Sequence, residues 1–141
     1  MRTSRAIPQA LSTRSEPDIC QDCLASKSFP WKRIASLAGS QSGKNCAPNG
    51  YLHAGTLVSV ADSMCGYGTI VNLPDEAIGF VTIELKSNFL GTLRQGAFNC
   101  VATPVHIGRN TQVWDAVAED EDSRRRLAVF RCTQMVLWDR S

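Results

Sequence analysis

The stretch NGYLHAGTLVSVADSMCGYG, residues 49–68, places a histidine in a turn and, nine residues later, a single carboxylate in an otherwise apolar run. At 100° per residue, one stripe collects Leu57, Val60, Ala61, Met64, Gly68 and Val71. This periodicity predicts an amphipathic helix over residues 53–72. Gly66 and Gly68 would let another backbone approach the helix closely.

Four segments with strand-like alternation follow, at residues 79–89, 96–108, 111–120 and 125–138. In the first, Val81, Ile83, Leu85 and Phe89 alternate with polar residues, which predicts a half-buried antiparallel strand with one apolar face. The turn GRN, residues 108–110, favours a hairpin between the second and third segments. A long helix laid on consecutive antiparallel strands is an α+β arrangement.

Residues 1–46 carry turn and breaker signals without a sustained period. We therefore divide the chain into an irregular N-terminal segment, residues 1–46, and a folded domain, residues 47–141. Within the N-terminal segment we expect one short helix near Trp31–Leu37. No clear alternating strand precedes the NGYLHAG turn, so a first strand from this segment is expected to be missing or irregular; if none forms, the sheet has an unpaired edge.

Composition restricts the class of protein. With 141 residues, 43% hydrophobic and 20% charged, the chain is typical of one globular domain. No apolar run reaches about 18 residues, so we expect a soluble, cytoplasmic protein. The net charge of +2 gives no indication of nucleic-acid binding. The first fifteen residues contain three arginines and no acid, like a mitochondrial transit peptide, although Pro8 would interrupt any helix there.

The six cysteines are irregularly spaced, and three of them fall in apolar segments where cysteine is usually a small buried hydrophobe. A disulfide framework is therefore not expected. Cys20 and Cys23 have the spacing of a zinc knuckle or redox pair, but no second ligand pair accompanies them. No metal site is predicted.

The segment YLHAGTLVSVADSMCGYG, together with TIELKSNFLG and ATPVHIGRNTQVWDA, resembles the hotdog-fold thioesterases of the PaaI (phenylacetic acid degradation) type. The resemblance covers residues 47–141. It implies a long central helix wrapped by a curved antiparallel sheet, a homodimer or homotetramer, and hydrolysis of aromatic or medium-chain acyl-coenzyme A to the free acid and coenzyme A. Coenzyme A is then part of the substrate, so no cofactor is expected, and neither nucleic acid nor membrane is an expected partner.

The resemblance assigns the oxyanion donor to the amide of Ala54 and the carboxylate, as base or nucleophile, to Asp62. A helix start suits the first role, because its N–H groups lack internal partners and lie at the positive end of the helix dipole. His53 would orient the turn or touch the thioester, and the first role is the more usual one for a lone histidine before a helix. The nine residues from His53 to Asp62 span roughly 13 to 14 Å along a helix, too far for the turn and the carboxylate to reach one carbonyl. A two-fold pair of chains could supply both, so an isolated monomer should be inactive.

An alternative for Asp62 is a carboxylate that is solvated or bound to Ser59 or Ser63 on the same helix. Thr82 matches a family position where a hydroxyl binds the attacking water, or it is simply a β-branched strand residue.

Related enzymes use Asn or Gln six residues before the histidine to hold the carbonyl or the water. That position here is Ala47, and Asn49 or Asn45 could substitute only if the loop is re-spaced. For substrate and coenzyme A binding, the resemblance implies Gly55, Asn88, Phe89, Arg109 and Asn110. Arg109 could equally be a solvated hairpin residue.

Other functions remain open from the sequence. The first alternative is a hotdog protein that binds acyl-coenzyme A with little turnover, because Ala47 and the N-terminal segment weaken the site. A hotdog dehydratase acting on acyl carrier protein is disfavoured, since the histidine-bearing strand motif of those enzymes is absent. A zinc module built on Cys20 and Cys23 would need further ligands.

Overall fold

The computed structural model describes residues 31–37 and 46–139. The described residues contain one helix, α1, and five strands. Their bounds are β1 Trp31–Leu37, α1 Ala54–Val71, β2 Ala77–Phe89, β3 Gly96–Ile107, β4 Thr111–Asp120 and β5 Arg126–Trp138. The predicted helix and the last four strands are confirmed to within two residues at each end.

The strands form one antiparallel sheet in the order β1-β3-β4-β5-β2, so β1 and β2 are its two edges. The predicted hairpin joins β3 to β4, and the N–H of Gly108 donates to the carbonyl of Thr111 at 2.9 Å. α1 packs on one face of the sheet. This is the predicted α+β architecture, a central helix wrapped by a curved antiparallel sheet.

The sheet-facing side of α1 follows the predicted stripe. Leu57, Ala61, Met64 and Gly68 are buried, while Val60 and Val71 are half-buried. A Cβ atom on Gly68 would lie 2.5 Å from the ring of the fully buried Trp114. The glycine therefore admits an aromatic ring, not another backbone as the sequence had suggested.

The core-facing positions of β5 alternate along the strand. The buried residues at these positions are Ala128, Phe130, Cys132, Gln134 and Val136. Four of them are the small or apolar groups that a helix-covered sheet face requires. Gln134 is the exception, a fully buried amide on the face that contacts α1.

The prediction that β2 presents one apolar, half-buried face was wrong. A β-bulge between Thr82 and Glu84 shifts the register against β5, so Thr82 lies opposite Gln134 and Leu85 lies opposite Cys132. The alternation is interrupted, and Val81 and Ile83 are 40% and 52% exposed. Because β2 is an edge strand, its apolar side chains have few neighbours within one chain.

The prediction of a short helix near Trp31–Leu37 was also wrong, as was the expectation of a missing first strand. These residues form β1, which pairs with β3 from Trp31 opposite Ala102 to Leu37 opposite Gly96. The edge of β3 offers free backbone donors and acceptors, and pairing with them outweighs a weak local preference of these residues for helix. A strand from the segment assigned as irregular thus belongs to the sheet.

Other N-terminal predictions fall on residues that the structure does not describe. Cys20, Cys23, Asn45 and the arginine-containing first fifteen residues lie outside the described ranges. Within residues 31–37 and 46–139, no helix has the length and apolar character needed to cross a membrane.

Candidate active site

The first turn of α1 is held by its own histidine. His53 is the N-cap, with φ −67° and ψ 130°, and its Nδ1 accepts a hydrogen bond from the N–H of Gly55 at 2.9 Å. The carbonyl of His53 accepts from the N–H of Thr56 at 2.9 Å. The His53 side chain therefore caps and orients the turn.

One N–H group in the first turn of α1 has no hydrogen-bond partner among the described residues. The amide of Ala54 donates to no group in the described part of the chain, whereas the amides of Gly55 and Thr56 are both used. Ala54 is absent from the residues with positive φ, so its methyl group fits the turn without backbone strain. Ala54 is thus the available donor at the positive end of the helix dipole, and the N–H of Gly55, a predicted substrate contact, is occupied.

Ala54 faces a cavity of about 260 Å³ at the amino end of α1. The residues lining this cavity are Ala47, Asn49, Tyr51, Leu52, Ala54, Leu57, Phe89, Gly91 and Thr92. The structure therefore brings together three predicted site residues: Asn49, Ala54 and Phe89. The wall is largely apolar with few polar groups, as small-molecule sites usually are.

The loop before α1 determines which polar group the cavity receives. Ala47 and Tyr51 close a turn in which the N–H of Ala47 donates to the carbonyl of Tyr51 at 2.7 Å. Asn49 accepts from the N–H of Tyr51 through Oδ1 at 3.2 Å, and its Nδ2 has no partner among the described residues. The Ala47 side chain offers no donor, so the Asn49 amide supplies a free side-chain donor on this loop.

Asp62 lies half-buried on α1, and its partner is on the sheet. The Oγ1 atom of Thr82 is 3.1 Å from Oδ1 of Asp62. The suggested alternative, a bond to Ser59 or Ser63, was wrong, because those hydroxyls donate to the helix carbonyls of Gly55 and Ser59 at 2.9 and 2.8 Å. Thr82 is therefore more than a strand former.

The same Thr82 hydroxyl lies 2.9 Å from Oε1 of the buried Gln134. A hydroxyl has one proton and can donate to only one of these two oxygens at a time. In the structure, Nε2 of Gln134 donates to Sγ of Cys132 at 3.4 Å. Oxygen and nitrogen of such amides are assigned from the hydrogen-bond network. If the amide is turned, Nε2 donates to the Thr82 hydroxyl, the Cys132 thiol donates to Oε1, and the hydroxyl proton is free for Asp62. Sequence reasoning missed Gln134, although a glutamine between core positions of an alternating strand is a recognisable signal.

Buried thiols lie near the Asp62 carboxylate. Cys65, Cys100 and Cys132 are fully buried and free, as predicted for small hydrophobes. A hydrogen bond with Cys132 and burial raise the pKa of Cys65, and burial raises the pKa of Cys100 to about 12. A hydrogen bond with Cys65 lowers the pKa of Cys132, while the nearby charge of Asp62 acts in the opposite direction.

The donor and the carboxylate do not meet within one chain. Asp62 and Thr82 are not among the residues lining the Ala54 cavity. Eight residues of helix separate Ala54 from Asp62, roughly 12 Å at the usual rise. One chain therefore carries two separate groups of functional residues, one at the start of α1 and one at its middle.

Three predicted coenzyme A contacts lie away from the cavity. Arg109 and Asn110 belong to the β3–β4 hairpin, where Arg109 stacks on Trp138 at 4.3 Å. This hairpin lies near the carboxyl end of α1, because Gln112 donates to the carbonyl of the C-cap residue Asn72 at 2.9 Å. Asn88 is exposed, next to Phe89 on β2, and does not line the cavity.

Comparison with known proteins agrees with this architecture. The family model described as "Thioesterase superfamily" matches residues 49–126. A 1,4-dihydroxy-2-naphthoyl-CoA hydrolase from Listeria monocytogenes is 34% identical over 86 residues, covering 61% of this chain and 68% of the relative. The putative esterase ComA2 from Bacillus subtilis is 33% identical over 90 residues, covering 64% and 71%. A crystal structure of a mutant of thioesterase PA1618 from Pseudomonas aeruginosa superposes with a TM-score of 0.66 at 29% identity, covering 75% of this chain and 74% of that one.

Proposed function

The chain belongs to the thioesterase superfamily, whose reaction is thioester hydrolysis, and we propose that its substrates are acyl-coenzyme A thioesters with aromatic or medium-chain acyl groups. The products are the free acid and coenzyme A. The name of the Listeria relative gives a coenzyme A thioester of an aromatic acid as its substrate, and this supports the proposed class.

The acyl carbonyl binds at the start of α1. Its oxygen accepts the free N–H of Ala54, at the positive end of the helix dipole, and this interaction strengthens as the oxygen becomes an anion. Asn49 supplies a second donor through Nδ2, which has no partner in the part of the chain that the structure describes. This group replaces the amide that related enzymes carry at the position of Ala47. Apolar residues of the cavity, including Leu57 and Phe89, contact the acyl group or the pantetheine arm.

Asp62 supplies the negative charge for the attack. As a general base, it takes a proton from water, the hydroxide oxygen bonds to the acyl carbon, and the carbon–sulfur bond breaks to release the thiolate, which then takes up a proton. As a nucleophile, it would attack the carbon directly, and the carbon–sulfur bond would break to release the thiolate and leave an anhydride with Asp62, which water then hydrolyses to the free acid and the Asp62 carboxylate. In both routes the Thr82 hydroxyl orients the carboxylate or the water.

A second copy of the chain completes the site. β2 is a 13-residue edge strand with exposed apolar side chains, among them Val81, Ile83 and Leu85. Such an edge can pair with the same edge of another copy about a two-fold axis. We propose a homodimer, or a tetramer of such dimers, in which Ala54 of one copy and Asp62 of the other act on one thioester.

One observation carries this proposal. The free amide of Ala54 lines a cavity, and Asp62, the one carboxylate of α1, is not among the described residues that line it. The donor and the base each have a defined setting, but they reach a common substrate only across an interface.

The test measures thiol release from benzoyl, hydroxyphenylacetyl and medium-chain acyl-coenzyme A by the purified protein. Asp62→Asn should lower kcat by roughly a thousandfold or more, because it removes the base, while it leaves substrate binding in place. Ser63→Ala, which changes the neighbouring exposed helix residue, is the matched control and should retain activity. Equal activity of Asp62→Asn and wild type would refute the assignment.

The absence of a donor at Ala47 favours one alternative, a dimer that binds acyl-coenzyme A with little turnover. In that case calorimetry would show thioester binding by the wild-type protein while thiol release stays at the uncatalysed rate. Ala47→Gln would then be expected to raise the rate, since it restores an amide at that position.

A further inference from the structure

Two arginines that have no carboxylate partner among the described residues flank the Ala54 cavity. Arg94 and Arg125 are both exposed, and each contacts residues that line the cavity. The two segments that carry these lining residues run side by side, because the N–H of Leu52 donates to the carbonyl of Leu93 at 2.7 Å. The arginines therefore lie on the same rim.

Arg94 is held against the tyrosine of the rim. Its guanidinium carbon lies 4.3 Å from the centre of the Tyr51 ring, and Nη2 donates to the Tyr51 hydroxyl at 2.9 Å. The stacking fixes the plane of the guanidinium, while four of its five N–H donors are left for other acceptors. A fixed guanidinium loses less conformational entropy when it binds an anion.

Arg125 is held from the other side. Its Nη2 donates to the carbonyl of Thr92 at 2.9 Å, and a Cβ atom on Gly91 would lie 3.6 Å from its guanidinium carbon. Gly91 and Thr92 both line the cavity. The guanidinium is thus anchored by one backbone bond and keeps its remaining donors at the rim.

No ion pair in the described part of the chain neutralises the charges of these two arginines. Within the described ranges, no carboxylate oxygen lies within 4.0 Å of either guanidinium, whereas Arg124 and Arg126 both pair with Glu119 at 3.1 and 3.9 Å. Asp120 is the carboxylate that interacts with the charge of Arg125, and its oxygens are bonded to Ser123 and to the N–H of Asp122. The rim therefore carries net positive charge beside an apolar cavity.

We infer that Arg94 and Arg125 bind the phosphate groups of the coenzyme A thioester whose acyl carbonyl lies at Ala54. This inference rests on the proposed function and identifies the residues that select a phosphorylated thiol carrier. Guanidinium groups match phosphate oxygens in charge and in geometry. Arg109, the arginine expected from the sequence, lies at the opposite end of α1 within the same chain.

The test compares thioesters of one acyl group on three carriers: coenzyme A, 4′-phosphopantetheine and pantetheine. Arg94→Gln and Arg125→Gln should each raise the KM for the coenzyme A thioester by roughly tenfold and leave kcat nearly unchanged, because a lost charge-assisted hydrogen bond weakens binding by about that factor. With the pantetheine thioester, which has no phosphate, the same variants should match wild type. Arg126→Gln removes the same charge from the next position and is the matched control.

The 4′-phosphopantetheine thioester locates the contact. If the variants lose as much with it as with coenzyme A, the arginines bind the phosphate nearest the pantetheine arm; if only coenzyme A is affected, they bind the phosphates of the nucleotide. Equal losses with the pantetheine thioester, or no loss with either phosphorylated carrier, would overturn the inference.

Binding of free coenzyme A separates this inference from the proposed function. If wild type releases no thiol from any carrier, the proposed function fails, and calorimetry with coenzyme A still decides the role of the arginines. Weaker affinity in Arg94→Gln and Arg125→Gln, but not in Arg126→Gln, supports the inference, and unchanged affinity overturns it.

Discussion

The hydroxyl oxygen of Thr82 on the edge strand lies 3.1 Å from the carboxylate oxygen of Asp62 at the middle of the helix. The two residues are twenty positions apart in the chain, and they meet because the sheet packs its core face on α1. Oε1 of Gln134 on β5 lies 2.9 Å from the same hydroxyl oxygen. The carboxylate is thus oriented by two strands of the sheet.

Replacing Thr82 should affect turnover more than binding. Thr82→Val keeps the branched shape but removes the hydroxyl, so Asp62 loses its partner and kcat should fall roughly tenfold with little change in KM. Thr82→Ser should retain most of the activity, because it keeps the donor. Steady-state kinetics of both variants decide this, and a Thr82→Val enzyme with wild-type kcat would contradict the role.

The N-cap of α1 should behave as one unit formed by His53 and Gly55. A Cβ atom on Gly55 would lie 2.9 Å from Nδ1 of His53, so Gly55→Ala displaces the ring and breaks the capping bond. Loss of a cap lowers the free energy of unfolding by about 1 kcal/mol. Urea unfolding should show that His53→Ala adds little to Gly55→Ala, since both remove the same bond. Fully additive losses would show that they act separately.

Gly68 should be much less tolerant of a side chain than Gly79. Three atoms of the Trp114 ring would lie within 3 Å of a Cβ atom on Gly68, and the ring is fully buried. Gly68→Ala should therefore destabilise the fold by about 1 to 3 kcal/mol through overpacking, even though alanine favours helix. Gly79→Ala meets no atom within 4 Å and serves as the control. Thermal unfolding that is equal for both variants would contradict the packing.

Asp115 and Arg131 should add a small acid-sensitive contribution to stability. Two hydrogen bonds, at 2.6 and 2.8 Å, join them across β4 and β5, and the Arg131 guanidinium lowers the pKa of Asp115. A carboxyl group whose pKa is lower in the folded state stabilises the fold above its unfolded pKa, about 3.9, and this contribution is lost as the pH falls through the folded value. The pair is largely exposed, so the effect is small.

The corresponding experiment is urea unfolding at neutral pH and near pH 3. Asp115→Asn should be slightly less stable than wild type at neutral pH, and the difference should shrink in acid. Asp75→Asn, on an exposed turn residue, is the control. A difference that grows as the pH falls would contradict the sign of the pKa shift.

Local patterns predicted α1 and strands β2 to β5, because helical and strand periods depend on neighbouring residues. They did not predict β1, whose formation depends on the distant edge of β3, or the bulge after Thr82, which is set by pairing with β5. The family resemblance pointed to Ala54, Asp62 and Thr82 as site residues. Neither the resemblance nor the periodicity could show that the N–H of Gly55 donates to His53 or that Arg94 stacks on Tyr51. Such contacts depend on side-chain positions, which a sequence pattern does not specify.

The central claim is that each active site combines the Ala54 amide of one copy with Asp62 of another. Ala54→Pro removes only that amide, because proline suits the first helical position and His53 already has the extended conformation that proline requires before it. Asp62→Ala removes the carboxylate. Each variant alone should be inactive.

The decisive measurement is thiol release by a heterodimer of the two variants, co-expressed with different tags and purified through both. Such a heterodimer has one site with both lesions and one with neither, so it should recover about half of the wild-type activity per dimer. If each site were built within a single chain, every site would carry a lesion, and a heterodimer as inactive as its parents would contradict the account.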